Sequence, residues 1–586
     1  MSAPMIVSQH RSHPSAQAGF TLMEVLIAVT ITAVIGLGVW QVLGNVVSSR
    51  DRVNEVAEQF DDIQRTMLLL DRDITQVVNR SARDIYGDFR PALTSREEEF
   101  SLILTRQGWR NPLGTRRSSL QRVGWEYTGD ELRRRYWVTV DRGQEDNSQD
   151  LLLLTNVTDF SVRFLDDQRN WRDEWPDEES MANTTPGTRP DIPLPLGIEV
   201  TIEHERFGEL VRTFTLPDFD NDVAQGVVNS ANDAADDQDD DQQQDQNQLV
   251  AKRPFNGRPA NSQGGVALIM VLLAMALVVM LATGMTQQQS VRVFRASHYL
   301  AQQQGHSVAL GAEAFARQIL VRDFEDDKEN NLMVDSLDEF WAKNAAILPL
   351  DDNGVVEIQV DDLGGRINLN DLVSANGQVD PVVRDRIARL LLVLEITRVK
   401  VDALVDWIDP NDQTISADGA EDGRYLSEDP AYRAGNQPFV DVSELRMIDG
   451  MTKEAYRALR PHVSALPVTG LGINVNTATA PVLRSLHEEL TQAQADAILE
   501  RRLEERFENV QDFLALPEFA GLGLKSTGLG LQTRFFEVVS RITYDNRVAN
   551  LVSTVYRSPE GEMQTVSRDI GQKNRITKEP FSVSEE

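Results

Sequence analysis

Acidic side chains crowd a short stretch between residues 402 and 429. Pro410, Gly419 and Gly423 interrupt the same stretch and predict a loop rather than a continuous helix. Calcium takes about six to eight oxygen ligands from carboxylates, carbonyls and water. The spacing is not that of an EF-hand, so it leaves two interpretations open, an oxygen-ligated cation site and a solvated acidic loop. The acidic residues are Asp402, Asp406, Asp409, Asp412, Asp418, Glu421, Asp422, Glu428 and Asp429.

A lone glutamate in an apolar segment is the second feature with chemical potential. Glu24 lies five residues after Gly19, in a run that stays apolar to about Val47. A carboxylate at the centre of a membrane helix costs roughly 2.5 kcal/mol or more, so a retained one indicates function. A second apolar run follows Gly265 and has Met270 at the equivalent position.

The N-terminal segment differs from an ordinary secretory signal peptide. Its apolar run is longer than the usual 7–15 residues or so, and no small-x-small cleavage site ends it. We predict instead a leader that is removed after Gly19, which makes Phe20 the new N-terminus. Glu24 then lies one helical turn from a free amine. The carboxylate and the amine can neutralise each other within one chain. Between neighbouring chains, the same pair can fix the register of helices that stack in lipid.

Composition excludes several classes of function. The chain has 586 residues, enough for several domains, and a net charge of -33, which argues against a nucleic-acid partner. It has no cysteine, so disulfides, thiolate metal sites and a cysteine nucleophile are absent. The seven histidines show no paired serine and aspartate, and there is no phosphate loop. We therefore predict that the protein is not an enzyme.

The first half predicts one long helix followed by strands. We expect a leader over 1–19, a transmembrane helix over 20–47 and a globular domain over 48–217, because apolar residues recur at three- and four-residue steps beyond the membrane run. Alternating runs separated by turns then predict strands. These runs are Phe100–Leu104, Ser119–Tyr127, Leu132–Asp141, Asp159–Leu165, Gly197–Glu203 and Glu209–Leu216.

The second half repeats this organisation after a polar spacer. Residues 218–263 are rich in Asp, Gln and Asn and predict an acidic disordered linker. A transmembrane helix is expected over 266–285, and a domain over 286–557 with a helical insertion at about 381–516. Residues 558–586 predict a polar tail. The expected fold class is α+β, with two units that each pack a long N-terminal transmembrane helix on an antiparallel sheet.

The first half resembles a known family. Gly19-Phe20-Thr21-Leu22-Met23-Glu24 is similar to the leader junction of type IV pilins and type II secretion pseudopilins. This resemblance implies pilin-like units, cleavage after Gly19 by a prepilin peptidase and N-methylation of Phe20. Over about residues 15–217 the chain resembles minor pseudopilin J. The residues that carry this are Phe60-Asp61-Asp62-Ile63-Gln64-Arg65, Leu70-Asp71-Arg72-Asp73-Ile74 and Arg117-Ser118-Ser119-Leu120-Gln121-Arg122-Val123.

The second half, over about residues 260–557, resembles minor pseudopilin K. The resemblance implies processing between Gly265 and Val266, and Met270 agrees with a family that lacks glutamate at this position. A subunit with no partner helix above it needs no such carboxylate, so the resemblance implies a place at the fibre tip. The carrying residues are Gly265-Val266-Ala267-Leu268, Gly365-Arg366-Ile367-Asn368-Leu369-Asn370, Asp406-Trp407-Ile408-Asp409, Gly419-Ala420-Glu421-Asp422, Asn436-Gln437-Pro438 and Ile473-Asn474-Val475-Asn476-Thr477-Ala478.

The K-like resemblance also implies two calcium ions in the helical domain. The implied partners are the minor pseudopilins I and H, the major pseudopilin G, prepilin peptidase, the inner-membrane assembly platform and secreted exoproteins. The implied location is the inner membrane, as single-pass units with periplasmic domains. On this basis the predicted ligands are Asp406, Asp409, Asp412, Glu421 and Asp422, with a carbonyl of Gly419 or Ala420.

We predict a joined pair of minor pseudopilins that forms the pseudopilus tip and primes its assembly for export of folded proteins across the outer membrane. The alternatives are a calcium-dependent membrane-anchored adhesin or sensor, and a minor type IV pilin. Topology raises a conflict, because a first helix with its N-terminus in the cytoplasm would direct the second helix back inward. Two adjacent subunits joined by gene fusion or by a reading-frame artefact, or a chain cut at Gly265, would resolve it.

One basic cluster allows two interpretations, a contact surface for an acidic partner subunit and a solvated strand face. Its members are Arg116, Arg117, Arg122, Arg133, Arg134 and Arg135.

Overall fold

The structure is a computed structural model that describes residues 22–233, 268–571 and 576–579, except for 183, 186, 351–353, 375, 545 and 546. The chain divides into two compact units, the first ending at Arg65 and the second beginning at Thr66. The second unit therefore contains the globular parts of both halves of the chain.

A single long helix, α1 (Leu22–Thr75), begins in the first unit and ends in the second. Among the described residues, the segment Val25–Thr75 is long and apolar enough to cross a bilayer by length and composition. The Thr30 hydroxyl donates to the Leu26 carbonyl at 2.7 Å, which satisfies it within the helix, as a lipid environment requires.

The described part of the first half continues with a two-stranded antiparallel pair, β1 and β2, and two larger antiparallel sheets. One contains five strands in the sequential order β3-β4-β5-β6-β7, and the other contains four in the order β11-β10-β8-β9. Leu70 and Ile74, in the last turns of α1, are fully buried in this part of the second unit. The elements are β1 (Ala82–Arg83), β2 (Phe89–Arg90), β3 (Leu93–Thr94), β4 (Leu102–Arg106), β5 (Gln121–Tyr127), β6 (Leu132–Tyr136), β7 (Gln149–Leu154), β8 (Val157–Leu165), β9 (Trp171–Arg172), α2 (Glu178–Ala182), β10 (Gly197–His204) and β11 (Gly208–Thr215).

Helix α3 (Asn221–Asp233) comes next. The prediction of a disordered linker over 218–263 is wrong for this part of the segment. Polar composition predicted disorder, but Ala224 and Val228 lie one helical turn apart and are buried by residues distant in the sequence. The remaining linker, from 234 to 263, lies outside the described residues.

The second half is a five-stranded antiparallel sheet with helix α4 on one face, in the strand order β12-β13-β18-β19-β20. Ala309, Ala312, Ala316 and Leu320 of α4 share a core with β18 and β19. The first elements are α4 (Leu268–Asn330), α5 (Phe340–Lys343), β12 (Ala346–Leu350), β13 (Gly354–Asp362), β14 (Ile367–Asn368), α6 (Pro381–Val393), α7 (Val401–Ile408), α8 (Asp422–Tyr425) and α9 (Lys453–Leu459). They continue with β15 (Val463–Ser464), β16 (Ile473–Asn474), α10 (Ala480–Arg484), α11 (Gln492–Glu504), α12 (Val510–Leu514), β17 (Leu529–Gly530), β18 (Phe535–Tyr544), β19 (Arg547–Arg557) and β20 (Met563–Asp569).

The helical region lies between β13 and β18, which are neighbours in the sheet. Its helices surround one apolar core that includes Trp407, Tyr425 and Phe513. The Asp380 side chain caps α6 by accepting from two backbone amides, which satisfies donors that the helix leaves free. Because adjacent strands flank it, this region is an insertion into the sheet.

The predicted polar tail over 558–586 is wrong for residues 563–569, because β20 pairs with β19 along the edge of the sheet. Met563 and Thr565 are buried while Gln564 and Val566 are less so, the period of two that strands require. Five polar or charged residues among the seven made this strand resemble a tail.

Candidate functional site

The predicted processing and assembly residues lie near the two helix N-termini. Four of them fall outside the described residues, so their cleavage stays a prediction: Gly19, Phe20, Gly265 and Val266. The backbones of Glu24 and Met270 belong to α1 and α4, and their side chains are not described.

Asp406 organises the predicted metal loop. It lies on α7 and is fully buried. Its Oδ1 accepts a hydrogen bond from the backbone amide of Ile415 at 2.9 Å, and its Oδ2 accepts one from Ala420 at 2.7 Å. A Cβ at position 419 would lie 2.1 Å from Asp406 Oδ2, so this close approach requires Gly419. The carboxylate therefore folds the loop back onto the end of α7.

Glu421 is a buried carboxylate without a compensating group. Its side chain is 5 % exposed, and among the described residues neither carboxylate oxygen has a hydrogen-bond partner. Burial, followed by the charges of Asp406, Asp409 and Asp412, raises the pKa of Glu421 to about 9. Burial, with Asp406 and Asp412, also raises the pKa of Asp409 to about 6. An uncompensated buried charge is costly, and an oxygen-ligated divalent cation would remove that cost. These carboxylates are the kind of oxygen donor that calcium takes, but among the described residues no three acidic side chains of this loop bring ligand oxygens within 4.8 Å of one another.

The other two predicted ligands differ from one another. The Asp412 side chain is 71 % exposed and accepts from Asn436 Nδ2 at 3.0 Å. Asp422 instead accepts from Arg83 Nη1 at 2.9 Å and from Arg433 Nη1 at 2.6 Å. Two guanidinium groups already neutralise this carboxylate, so the structure gives Asp422 a role in ion pairing that the predicted role in metal binding did not anticipate.

A second acidic cluster was not identified from the sequence. Among the described residues, Asp323, Asp335 and Glu339 form the group of three acidic side chains whose oxygens lie within 4.8 Å of one another. Arg557 Nη2 lies 2.5 and 2.6 Å from the two Asp335 oxygens, and Nη1 lies 3.7 Å from Asp323. Trp341 Nε1 donates to Glu339 at 2.7 Å. Because the protein supplies its own cation here, we interpret the cluster as a core ion network.

This network predicts a pH-dependent stability. Burial, then the charges of Asp323 and Asp335, raises the pKa of Glu339 from 4.5 to about 9. The folded chain holds a proton that the unfolded chain releases, so its stability falls as pH rises through this window. We expect Glu339→Gln to increase the free energy of unfolding at about pH 8 by more than about 1 kcal/mol, since one pKa unit is worth about 1.4 kcal/mol, and therefore to raise the thermal unfolding midpoint. At about pH 4 the variant should match the wild type.

Asp338→Asn is the matched control, because Asp338 is adjacent and its side chain is 49 % exposed. It should leave the midpoint unchanged at both pH values. A Glu339→Gln protein with the wild-type midpoint at pH 8 would contradict the assignment.

A buried junction joins the globular parts of the two halves. The Arg80 side chain is 1 % exposed and lies 2.6 Å from Asp141 Oδ2 and 3.0 Å from Glu444 Oε2. Burial disfavours the charge on Arg80, but the two carboxylates outweigh it and raise the pKa of the guanidinium. Arg80 and Asp141 belong to the first half and Glu444 to the second. Arg80 thus neutralises one buried carboxylate from each half.

Further contacts extend the junction toward the acidic loop. Ser119 donates its backbone amide to Ser443 Oγ at 2.7 Å and its hydroxyl to Asp441 at 2.9 Å. Arg116, from the basic cluster, lies 2.6 Å from Glu428. A Cβ at Gly143 would lie 2.6 Å from the Ala431 carbonyl, so the backbones meet closely.

Two members of the basic cluster, Arg122 and Arg134, are buried within the first half rather than solvated. Arg134 is buried and forms two hydrogen bonds with Asp73, at 2.6 and 2.9 Å, within the first half. Arg122 is buried and donates to the Ala92 carbonyl at 2.8 Å. No spacing in the sequence distinguishes these internal arginines from Arg116, which faces the second half.

The asparagine motifs of the second half fasten loops. Asn370 Nδ2 donates to the Phe439 and Leu466 carbonyls at 2.8 and 2.9 Å, and Asn476 Nδ2 donates to Phe507 at 2.9 Å. These side chains have backbone partners, so their roles are structural.

Comparison with known proteins is consistent across both halves. The model of the type II secretion system protein J family matches residues 41–216, and models of the protein K family match 365–468 and 473–532. A model of the prokaryotic N-terminal methylation motif matches residues 14–40. The apolar helix, the antiparallel sheets and these matches define a pseudopilin of the type II secretion system.

The relatives make the assignment specific. Type II secretion system protein K of Pseudomonas aeruginosa is 38 % identical over 315 residues, covering 53 % of this chain and 93 % of that protein. Protein J of Klebsiella pneumoniae is 31 % identical over 203 residues, covering 34 % and 94 %. A chain of the GspK-GspI-GspJ complex from enterotoxigenic Escherichia coli matches at 25 % identity, with 48 % of this chain and 100 % of that chain covered, at a TM-score of 0.42. The chain belongs to the protein J family in its first half and to the protein K family in its second. The adhesin, sensor and type IV pilin alternatives are not favoured.

Proposed function

We propose that the chain supplies two neighbouring minor pseudopilins, each a pilin-like unit, that form the tip of the pseudopilus and prime its assembly. The Arg80 junction supports this proposal, because a buried arginine shared by carboxylates of both halves is a contact between subunits that work together. Growth of the fibre beneath this tip would drive folded proteins across the outer membrane.

The partners in this proposal are the minor pseudopilins I and H, the major pseudopilin G, the prepilin peptidase, the inner-membrane platform and the secreted exoproteins. Both apolar helices would anchor in the inner membrane, with the globular parts in the periplasm. Glu24 would meet the N-terminal amine of a neighbouring helix, whereas Met270 would lie at the top of the stack, where no such partner is required.

The junction also bears on the topology conflict. Bodies that bury charges against each other lie on the same side of a membrane, and each follows its own apolar helix. The acidic segment 234–263 would then have to cross the bilayer in an intact chain, which its charge opposes. We therefore propose that the halves function as two chains, separated at Gly265 or made separately.

Calcium would bind in the acidic loop. Glu421, Asp406, Asp409 and Asp412 would hold it, with a carbonyl of Gly419 or Ala420. The ion would neutralise the Glu421 carboxylate, which has no cationic partner among the described residues. The unpaired Glu421 carboxylate supports this part of the proposal.

The experiment is to substitute the leader glycine. Gly19→Val should leave the leader attached, keep the pseudopilin out of the fibre and abolish exoprotein secretion. N-terminal sequencing of the wild-type products should find methylated Phe20 and a second N-terminus at Val266.

The control is Gly36→Val in the same helix, where an added Cβ meets nothing within 4 Å in this chain; it should be processed normally. Normal secretion with Gly19→Val would overturn the proposal. A single full-size wild-type product would overturn the two-chain part.

A further inference from the structure

Residues 218–228 follow the first half and precede the acidic segment 234–263. They lie between the match to the protein J family, which ends at residue 216, and the first match to the protein K family, which begins at residue 365. Asp220 Oδ1 accepts from the amides of Asp222 and Val223, each at 3.0 Å, and so caps α3. The segment therefore begins a helix at a defined residue immediately after the first body.

The buried side chains of this segment contact the second half. The Phe219 ring packs edge-to-face on Tyr556 and Phe535, with ring centroids 5.2 and 5.9 Å apart. Ala224 and Val228 are 2 % and 3 % exposed. The apolar cluster that covers them consists of Leu363, Leu466, Val468, Phe535 and Tyr556.

Polar contacts determine the register of the segment. Gln225 Oε1 accepts from the Thr469 amide at 2.9 Å, and Gln225 Nε2 donates to the Thr469 carbonyl at 3.2 Å. Asp218 Oδ1 accepts from the Thr565 amide at 3.1 Å. One side-chain amide thus pairs with both backbone groups of a single residue in the second half, which a loosely packed tether would not do.

We propose that residues 218–228 are a clasp that binds the K-like product and holds the J-like product on it after the chain is separated. The inference rests on the proposed function, in which the halves become two chains. Because Gly265 follows the clasp, the clasp remains on the first product while its binding surface belongs wholly to the second. The linker keeps the two halves close while they first associate, and the clasp keeps the two products bound after the linker has been cut.

The test separates the halves in vitro. A site-specific protease sequence is placed within residues 234–263 of the full chain, and the solubilised protein is cleaved in excess detergent micelles, so that the two anchors distribute among micelles. A tag on the first fragment then captures the second over a dilution series. The wild-type fragments should remain together.

Val228→Glu buries a charge in the apolar cluster and should weaken retention at least tenfold. Val223→Glu is the matched control on the same helix, because Val223 is 63 % exposed, and it should retain the partner as the wild type does. Gln225→Ala removes the Thr469 contacts, together with a hydrogen bond to Asn229 within the same helix, and should weaken retention several-fold without introducing a charge. Unfolding of the uncut variants checks that each body is intact.

Separation of the wild-type fragments, or equal retention by the Val228→Glu and Val223→Glu proteins, would overturn the clasp. Because cleavage here is engineered, failure of natural processing at Gly265 would leave this result unaffected. The two proposals can therefore fail independently.

Discussion

Replacing Arg80 by methionine should destabilise the joined globular unit by about 3–5 kcal/mol, the usual cost of leaving buried charges without their partner. Asp141 and Glu444 are at most 5 % exposed and would lose their shared guanidinium. Methionine preserves most of the side-chain volume, so the loss reports electrostatics rather than a cavity. The measurement is the urea midpoint of the solubilised full chain.

Two further variants make the Arg80 result specific. Arg163→Met removes an arginine from an exposed pair with Glu199 on the first body and should leave the midpoint unchanged. Adding Glu444→Gln to Arg80→Met should recover part of the loss, because one of the two uncompensated carboxylates then becomes neutral. If Arg80→Met unfolds at the same midpoint as Arg163→Met, Arg80 does not stabilise the junction.

Glu421→Gln should have opposite effects on the calcium-free and the calcium-loaded protein. In the calcium-free chain the raised pKa of Glu421 means that folding at neutral pH requires the carboxylate to take up a proton. The amide of the variant has no such requirement, so the unfolding midpoint should rise. The wild type should be stabilised by calcium, by about 2.7 kcal/mol when the ion is at a hundred times its dissociation constant. The variant should lose most of this stabilisation because Glu421 supplies a ligand. Thermal unfolding with calcium and with chelator measures both effects.

Asp418→Asn is the control for this prediction. Asp418 is exposed in the same loop and is not one of the predicted ligands. Its variant should keep the calcium response of the wild type. An unchanged calcium response in Glu421→Gln would contradict the metal assignment, whereas loss of response in Asp418→Asn would shift the site toward the outer part of the loop.

Local sequence patterns predicted much of the secondary structure. The alternating runs of the first half correspond to β4, β5, β6, β8, β10 and β11, because apolar alternation is a local property. Their ends differ by at most about two residues, except that β6 ends at Tyr136 whereas the predicted run continued to Asp141. Helix α3 and strand β20 were missed for a common reason. Both are polar in composition, and each is stabilised by a surface that lies far away in the sequence.

The candidate sites divide in the same way. The density of carboxylates between residues 402 and 429 was sufficient to predict an oxygen-rich loop, because the amino-acid composition alone shows which ligand atoms a loop can offer. The difference between Glu421, which is unpaired, and Asp422, which pairs with two arginines, depends on where residues 83 and 433 lie. No spacing within the loop contains that information.

The sequence by itself determined the class of each half and predicted the two apolar segments and the contrast between Glu24 and Met270, because these depend on short runs of residues and on the cost of charge in lipid. Only the tertiary structure decided that Arg80 is shared by both halves and that residues 218–228 bind the second half. Burial and ion pairing between distant segments depend on how the chain folds back on itself, and a linear pattern does not specify which surfaces meet.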